Sequence, residues 1–227
     1  MERRPRWLTE DPDRPPSLLD TVGGVLGILE ATVPFVAFTI VWTAAGRDDI
    51  LTAGIVAVAI SAVLALARIL RRQTTQFALS GVIGVAIGAF VANRTGNAED
   101  FFLPGILLNI GSALVYLMSI VIRKPLIGLL VSVLTTEGRR WYQDPDRRRL
   151  YTRASWVWVG IFSFRFSIQL PLYLTESVGA LAVARVVGGL PLFALGVWLT
   201  YMLIKPLLHE LQEEHRRKAA AEAAGGQ

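Results

Sequence analysis

The sequence has no cysteine, and this absence removes several kinds of chemistry. Disulfide bonds, thiolate metal ligands and a cysteine nucleophile are all excluded. Histidine is scarce as well, since its two copies, His209 and His215, both lie in the charged C-terminal tail. The motifs of zinc proteases, serine hydrolases, P-loop proteins and Rossmann proteins are missing too. We therefore expect no metal site and no cofactor, and an enzyme is the function that the sequence favours least.

Long polar stretches are also scarce, because hydrophobic residues make up 53% of the 227 residues. A soluble protein of this length could not bury that much apolar surface without exposing large patches. Several uncharged apolar runs approach the ~20 residues that cross the hydrocarbon core of a bilayer. The sequence therefore predicts an all-α, multi-pass membrane helix bundle, with the lipid bilayer as its main partner.

Six of these runs are predicted to be membrane spans, joined by short polar loops into one membrane domain, 17–208. Their approximate bounds are 22–45, 50–67, 77–92, 101–122, 156–174 and 178–204. Residues 1–16 are predicted to form a disordered cytoplasmic arm, and residues 209–227 a charged cytoplasmic tail. The apolar run 126–136 is too short to cross, so we interpret it as an interfacial or re-entrant helix.

The distribution of Lys and Arg predicts the side of the membrane on which each loop lies. Four of these residues precede the first span, three follow the second, eight lie between the fourth and fifth, and four follow the sixth. The loops on the opposite side have only Arg47 and Arg94. Because basic residues accumulate in cytoplasmic loops, both termini are predicted to be cytoplasmic. Topology therefore explains the net charge of +5, and we expect no nucleic acid to bind.

Several polar or charged residues lie within the predicted spans. An unpaired charge at mid-membrane costs ~2.5–3.5 kcal/mol, so such residues are either paired or functional. Glu30 and Arg165 are expected at similar depths. They predict either a structural ion pair or a site for a proton, an ion or an anionic ligand. The full set of intramembrane candidates is Glu30, Asn109, Tyr116, Arg165, Gln169 and Arg185.

Helical spacing places these residues on defined faces. Arg165, Gln169 and Tyr173 recur at every fourth position of the fifth span, and Asn109 belongs to a similar stripe on the fourth. The first, fourth, fifth and sixth spans are therefore predicted to face one another, whereas the second faces mostly lipid. Arg185 is nearer to the outer surface, and we expect it to snorkel in that direction.

Small residues and basic clusters predict packing and lipid contacts. The third span contains Gly81, Gly84 and Gly88, and the last two form a GxxxG motif that lets helices approach closely. We interpret this motif as packing within one molecule, while a second copy or another membrane protein is the alternative partner. Pro34 is a further packing candidate. Five arginines are candidates for anionic lipid headgroups, or are the topology signal alone: Arg139, Arg140, Arg147, Arg148 and Arg149.

Short motifs along the spans resemble those of an actinobacterial family of multi-pass membrane proteins that is known only as a domain of unknown function. They are Gly23-Gly24, Glu30, Pro34-Phe35, Arg123-Lys124-Pro125-Leu126, the segment 165–171 and Lys205-Pro206. More distantly, the chain is similar to the intracellular septation protein A family of bacterial inner-membrane proteins. The matching points are Pro34-Phe35, Lys124-Pro125-Leu126-Ile127 and Trp156. That similarity implies the bacterial plasma membrane and a role in septation and envelope synthesis. The chain departs from that family in its longer basic loop, 137–153, and in the arginine within its fifth span.

Three functions follow from these patterns. The first is a non-enzymatic scaffold or regulator in cell-envelope or division processes, favoured by short outer loops and missing catalytic motifs. The second is a small transporter or channel that uses Glu30 and Arg165, favoured by the charges within the spans. The third is a membrane-embedded enzyme.

The predicted topology is testable with reporter fusions. A fusion at residue 96 should report an external location, and fusions at residues 74, 145 and 220 should report the cytoplasm, because the basic loops define the inner side. A cytoplasmic signal at residue 96 would contradict the arrangement of six spans.

Overall fold

A computed structural model describes residues 24–47, 49–70, 76–134, 141 and 143–225. Within these ranges the side chains of 24–31, 68, 76–80, 134, 208–209 and 211–225 are not described. The predicted N-terminal arm, Arg139, Arg140 and residues 135–136 lie outside the described residues. The part of the chain that the structure describes contains helices and no β-strand, so the all-α prediction is confirmed there.

The helices follow one another with short connections. They are α1 Gly24–Ala44, α2 Ile50–Leu70, α3 Gln76–Thr95, the 3₁₀ helix η1 Ala98–Phe101, α4 Leu103–Val121, α5 Leu126–Leu134, α6 Pro145–Leu174, α7 Val178–Val187 and α8 Leu190–Gly225. Four described stretches are long and apolar enough to cross a membrane: Ile50–Ala67, Leu103–Val121, Pro145–Leu174 and Val178–Leu207. Thr32–Ala44 and Gly81–Thr95 are shorter apolar helices. The chain is thus compatible with a membrane protein, while six spans and their orientation stay predictions.

Two helix starts follow from carboxylate caps. Before α2, Oδ1 of Asp49 accepts a 2.9 Å hydrogen bond from the N–H of Thr52, and hydrogen bonds from the side chain and backbone of Thr52 lower the pKa of Asp49. Before α6, Oδ1 of Asp144 accepts from the N–H groups of Asp146, at 2.9 Å, and Arg147, at 3.3 Å. Each carboxylate therefore satisfies backbone N–H groups that have no partner within the first turn of its helix.

The apolar run predicted as the sixth span contains a helix break. Helix α7 ends before Gly188 and Gly189, and α8 begins at the next residue. A Cβ at Gly189 would lie 2.6 Å from the carbonyl oxygen of Arg185, so the turn has no room for a side chain. Pro191 then opens α8, where its missing N–H costs no helical hydrogen bond. The last predicted span is therefore a ten-residue helix followed by a second, longer one.

The chain forms two compact units. Of the described residues, those from Gly24 to Ala113 and Ile161–Ala194 belong to unit A. Those within Leu114–Gly160 and from Leu195 onward belong to unit B. The candidate site lies in unit A.

Phenylalanine rings form the centre of unit A. The rings of Phe38 and Phe101 stack with their centroids 3.9 Å apart, and the ring of Phe35 lies 5.4 Å from that of Phe101. Beside this cluster, buried Ala53 and Ala57 let α2 approach closely, as small residues do between membrane helices. Leu51, Ile55 and Leu66 on α2 are exposed, whereas Ile50 and Val58 pack against the core. That α2 faces lipid on most sides stays a prediction.

The glycines of α3 differ in what surrounds them. Gly88 is buried, and a Cβ there would lie 2.5 Å from the carbonyl oxygen of Phe101. Gly81 and Gly84 have no described atom within 4 Å of an added Cβ. Within the described residues, therefore, only Gly88 of these three makes a close contact inside the molecule.

In unit B the short helix α5 is attached at its first turn. Backbone N–H groups of Leu126 and Ile127 donate to the hydroxyl oxygens of Ser119, at 3.1 Å, and Ser155, at 3.4 Å. The ring of Trp141 is fully buried against Gly128, where a Cβ would lie 2.8 Å from the indole. One side of α5 is thereby buried, while Leu129, Leu130 and Val133 stay exposed.

The contact at Gly88 predicts a specific loss of stability. We expect Gly88→Ala to lower the melting temperature in detergent by the equivalent of about 1–3 kcal/mol, because the methyl group meets backbone that has no easy way to move. The matched control is Gly84→Ala on the same helix, which should leave the melting temperature unchanged or raise it. Equal effects of the two substitutions would contradict this packing.

Candidate functional site

The guanidinium group of Arg185 lies inside unit A between two other helices. Its Cζ is 4.4 Å from the centroid of the Phe35 ring on α1, a cation–π distance. On α4, a Cβ added at Gly105 would collide with a terminal nitrogen of this group and lie 2.7 Å from its Cζ. An aromatic ring and a residue without a side chain therefore leave room for the guanidinium between α1 and α4. That Arg185 snorkels toward the outer surface stays a prediction.

Arg165 belongs to the same region. It lies nine residues before the end of α6 at Leu174, and Arg185 lies seven residues after the start of α7 at Val178. These spacings put the two residues ~14 Å and ~11 Å along their helices from the connecting turn. The stem of Arg165 reaches the helix break that follows α7, because its Cγ is 3.9 Å from the Cβ position of Gly188, three residues after Arg185.

Gln169 adds a buried amide one turn from Arg165 on α6. It is 3% exposed, and its Oε1 accepts a 3.2 Å hydrogen bond from Nδ2 of Asn109 on α4. Its Nε2 and the Nε of Arg165 are buried, and neither has a hydrogen-bond partner among the described residues. Buried donors usually have a partner, so these two are suited to a bound ligand. These contacts and those of Arg185 join α1, α4, α6 and α7. That the polar faces of all four predicted spans meet stays a prediction, because the side chain of Glu30 is not among those described.

Carboxylates are scarce around these arginines. No ion pair joins Arg165 or Arg185 to an acid within the part of the chain that the structure describes. Glu30 is the one acid within the predicted spans, five residues before Phe35 on α1, and its side chain is not among those described. Two arginines and one glutamate leave one positive charge over, whichever arginine Glu30 pairs with.

A buried acid that does not follow from the sequence pattern, Asp100 of η1, contacts the last turn of α6. The hydroxyl of Tyr173 donates a hydrogen bond to Asp100 of η1, and Nδ2 of Asn97 lies 3.5 Å from the same carboxylate. Asp100 is 4% exposed although the sequence places it in a polar loop. The two phenylalanines that follow it are the one local signal that this segment is buried. Tyr173, Gln169 and Arg165 thus form a row of polar groups along one face of α6. Tyr173 and the Oε1 of Gln169 have hydrogen-bond partners among the described residues.

The remaining predicted site residues lie elsewhere. In unit B, the ring of Tyr116 stacks on Trp158 at 6.0 Å, and Nε1 of Trp158 donates to Thr200 at 3.0 Å. Pro34 is fully buried inside α1. These residues contribute to packing and do not join the arginine cluster.

The described arginines of the basic loop have acidic neighbours. Arg147 forms ion pairs with Asp144 at 3.3 Å and with Glu210 at 4.0 Å. Arg149 is exposed and lies 3.6 Å from Asp146, and Arg148 is half-buried. Their contact with lipid headgroups stays a prediction.

The cluster of Arg165, Gln169 and Arg185 presents donors and positive charge. Its one described acceptor, Oε1 of Gln169, is already occupied by Asn109. The described residues also contain no group of three His, Cys, Asp or Glu side chains that could hold a metal ion. The arrangement is therefore suited to a bound anion, which would supply acceptors and compensate charge.

Comparison with known proteins gives a family and no activity. A family model described as a protein of unknown function, DUF3159, matches residues 22–211. This match confirms the predicted resemblance to a domain of unknown function. No curated protein matches the chain, and no solved structure does. The similarity to the septation protein A family stays a prediction.

The pairing of Glu30 is testable with a double-mutant cycle. We expect Glu30→Gln and Arg165→Gln each to lower thermal stability in detergent, by roughly 3–5 kcal/mol, because each strands a charge of the opposite sign. The double mutant should recover part of the loss. Additive losses would show that these two residues are not partners, and the same cycle with Arg185→Gln then tests the other pairing.

Proposed function

We propose that this chain, which belongs to the DUF3159 family of proteins of unknown function, is a multi-pass membrane protein that binds an anion between its helices and carries it across the bilayer. One observation carries the proposal. Arg165 and Arg185 both lie in unit A, where Arg165 packs against the turn three residues after Arg185, and no described acid forms an ion pair with either arginine. Ionisable residues within membrane helices characteristically mark the path of an ion or substrate.

The chemistry of the cluster supports binding. A charge is costly in a low-dielectric interior, so a mobile anion that neutralises one arginine stabilises the site. The buried donors on Arg165 and Gln169 would hydrogen-bond such an anion directly. The helix break at Gly188 and Gly189 lies beside Arg165, and broken helices next to a ligand are typical of transporters.

The proposal includes the six-span topology with both termini in the cytoplasm of a bacterial cell. In that topology the turn 175–177 is external, and the arginines lie ~11–14 Å below it along their helices. A site near the middle of the bilayer is accessible in turn from either side, as alternating access requires.

The second candidate is a non-enzymatic scaffold or regulator in cell-envelope or division processes. The similarity to the septation protein A family favours it, and its partners would be other membrane proteins or a second copy. In that case the arginines serve packing alone. A membrane-embedded enzyme is the third candidate, and no geometry in the described residues favours it.

Anion transport is testable in liposomes that contain the purified protein. Labelled phosphate or labelled chloride should enter faster than in protein-free vesicles. Gly105→Ala should slow the uptake roughly tenfold, since its methyl group displaces the Arg185 guanidinium from hydrogen-bonding position. Stability should change little, because the end of an arginine side chain moves easily.

The matched control is Gly111→Ala on the same helix, where no described atom lies within 4 Å of the new methyl group. It should leave uptake unchanged. If neither anion enters through the intact protein, the transport proposal is wrong and the scaffold remains.

A further inference from the structure

The amide of Gln169 is held in one orientation. Because its Oε1 accepts from Nδ2 of Asn109, its Nε2 points to the other side of the amide. That Nε2 is buried and lacks a partner among the described residues, and so does the Nε of Arg165 one turn earlier on the same face. Gln169 and Arg165 therefore present neighbouring donors, one neutral and one charged.

The guanidinium of Arg185 is restricted in how it can meet a ligand. The Phe35 ring covers one of its faces, and Gly105 packs against one of its terminal nitrogens. A ligand must therefore approach an edge of the group, where the N–H bonds lie in the guanidinium plane. A group with two oxygens accepts two parallel hydrogen bonds from such an edge, whereas a halide offers a single centre.

We propose that the anion is an oxyanion group, either a carboxylate or a phosphate, and that Gln169 selects it over halide. Asn109 is the positioning residue, because it turns the Gln169 amide so that Nε2 is available. This inference rests on the proposed anion-binding function and names the ligand class of the same site.

The selectivity is assigned to Gln169 for an electrostatic reason. The attraction between a guanidinium and an anion depends on charge and distance, so the two arginines attract chloride as well as oxyanions. The amide carries no net charge, and it contributes to binding through a hydrogen bond that depends on direction. That hydrogen bond forms only when one oxygen of the ligand accepts from Nε2 while another oxygen accepts from an arginine.

The proposed oxyanion group could belong to either of two kinds of molecule. It is present on small soluble acids such as inorganic phosphate, and also on phospholipid headgroups. Both would engage the same donors. The experiment therefore includes one probe from each source.

The test is a binding titration of the purified full-length chain in a neutral detergent. The probes are inorganic phosphate, dihexanoyl phosphatidic acid and chloride, at matched ionic strength, with the rise in melting temperature as the readout. We expect phosphate or the short-chain lipid to bind more tightly than chloride. Whichever of the two binds more tightly identifies the source.

Two variants and a control test the role of the amide. Gln169→Met keeps the shape and removes the donors, so the dissociation constant for the oxyanion should rise roughly tenfold while that for chloride stays the same. Asn109→Leu should act in the same direction without adding charge, because the Gln169 amide is then no longer held with Nε2 turned toward the ligand. Ser112→Ala, on the same face of α4, should leave both constants unchanged.

The outcomes separate the two levels of the proposal. Chloride binding as tight as phosphate, or an equal loss for both anions in Gln169→Met, overturns the oxyanion assignment and leaves the anion site intact. If none of the three probes raises the melting temperature of the intact protein, the anion site itself is wrong. Melting temperatures measured without ligand show which variants are folded, and Asn109→Leu decides if Gln169→Met is not folded.

Discussion

The free energy of keeping two arginine side chains out of water governs the interior of unit A. Each guanidinium must recover by local contacts the hydration that it loses. Arg185 does so against a phenylalanine ring and a glycine backbone. That ring is itself fixed by the stacked pair of Phe38 and Phe101. Phe101 in turn comes close to α3 because Gly88 has no side chain. The aromatic core is thus the support on which the arginine cluster depends.

The interior of unit B contains no such arginine cluster among the described residues and is filled by tryptophan rings instead. These rings contact small or hydroxylated residues. Trp141 packs on Gly128, and Trp158 donates to the hydroxyl of Thr200. Two serine hydroxyls meet backbone N–H groups at the first turn of α5, where helical hydrogen bonds are missing. Large aromatic rings and short polar side chains therefore hold a nine-residue helix that has little stability by itself.

The sequence predicts local features well, since these depend on neighbours along the chain. The caps at Asp49 and Asp144 are of this kind, because each needs only a carboxylate near a helix start. The polar face of α6 follows from helical spacing. Its contact with Asn109 agrees with the prediction that the fourth and fifth spans face each other. The contacts of Arg185 do not follow from the sequence, because a ring and a gap on two other helices supply them. The burial of Asp100 does not follow from it either, because its partner Tyr173 lies 73 residues further along the chain.

The two arginines also bear on how the chain is assembled during synthesis. Of the four long apolar stretches, Pro145–Leu174 is the least hydrophobic and Ile50–Ala67 the most. A central arginine makes insertion of a helix less favourable by ~2.5–3.5 kcal/mol. The helices that pack against the Arg185 guanidinium, α1 and α4, precede it in the chain and emerge from the ribosome first. The Phe35 ring and the space at Gly105 are therefore already synthesised when the helices that carry the two arginines are inserted, so that membrane insertion depends on the order of the helices along the chain.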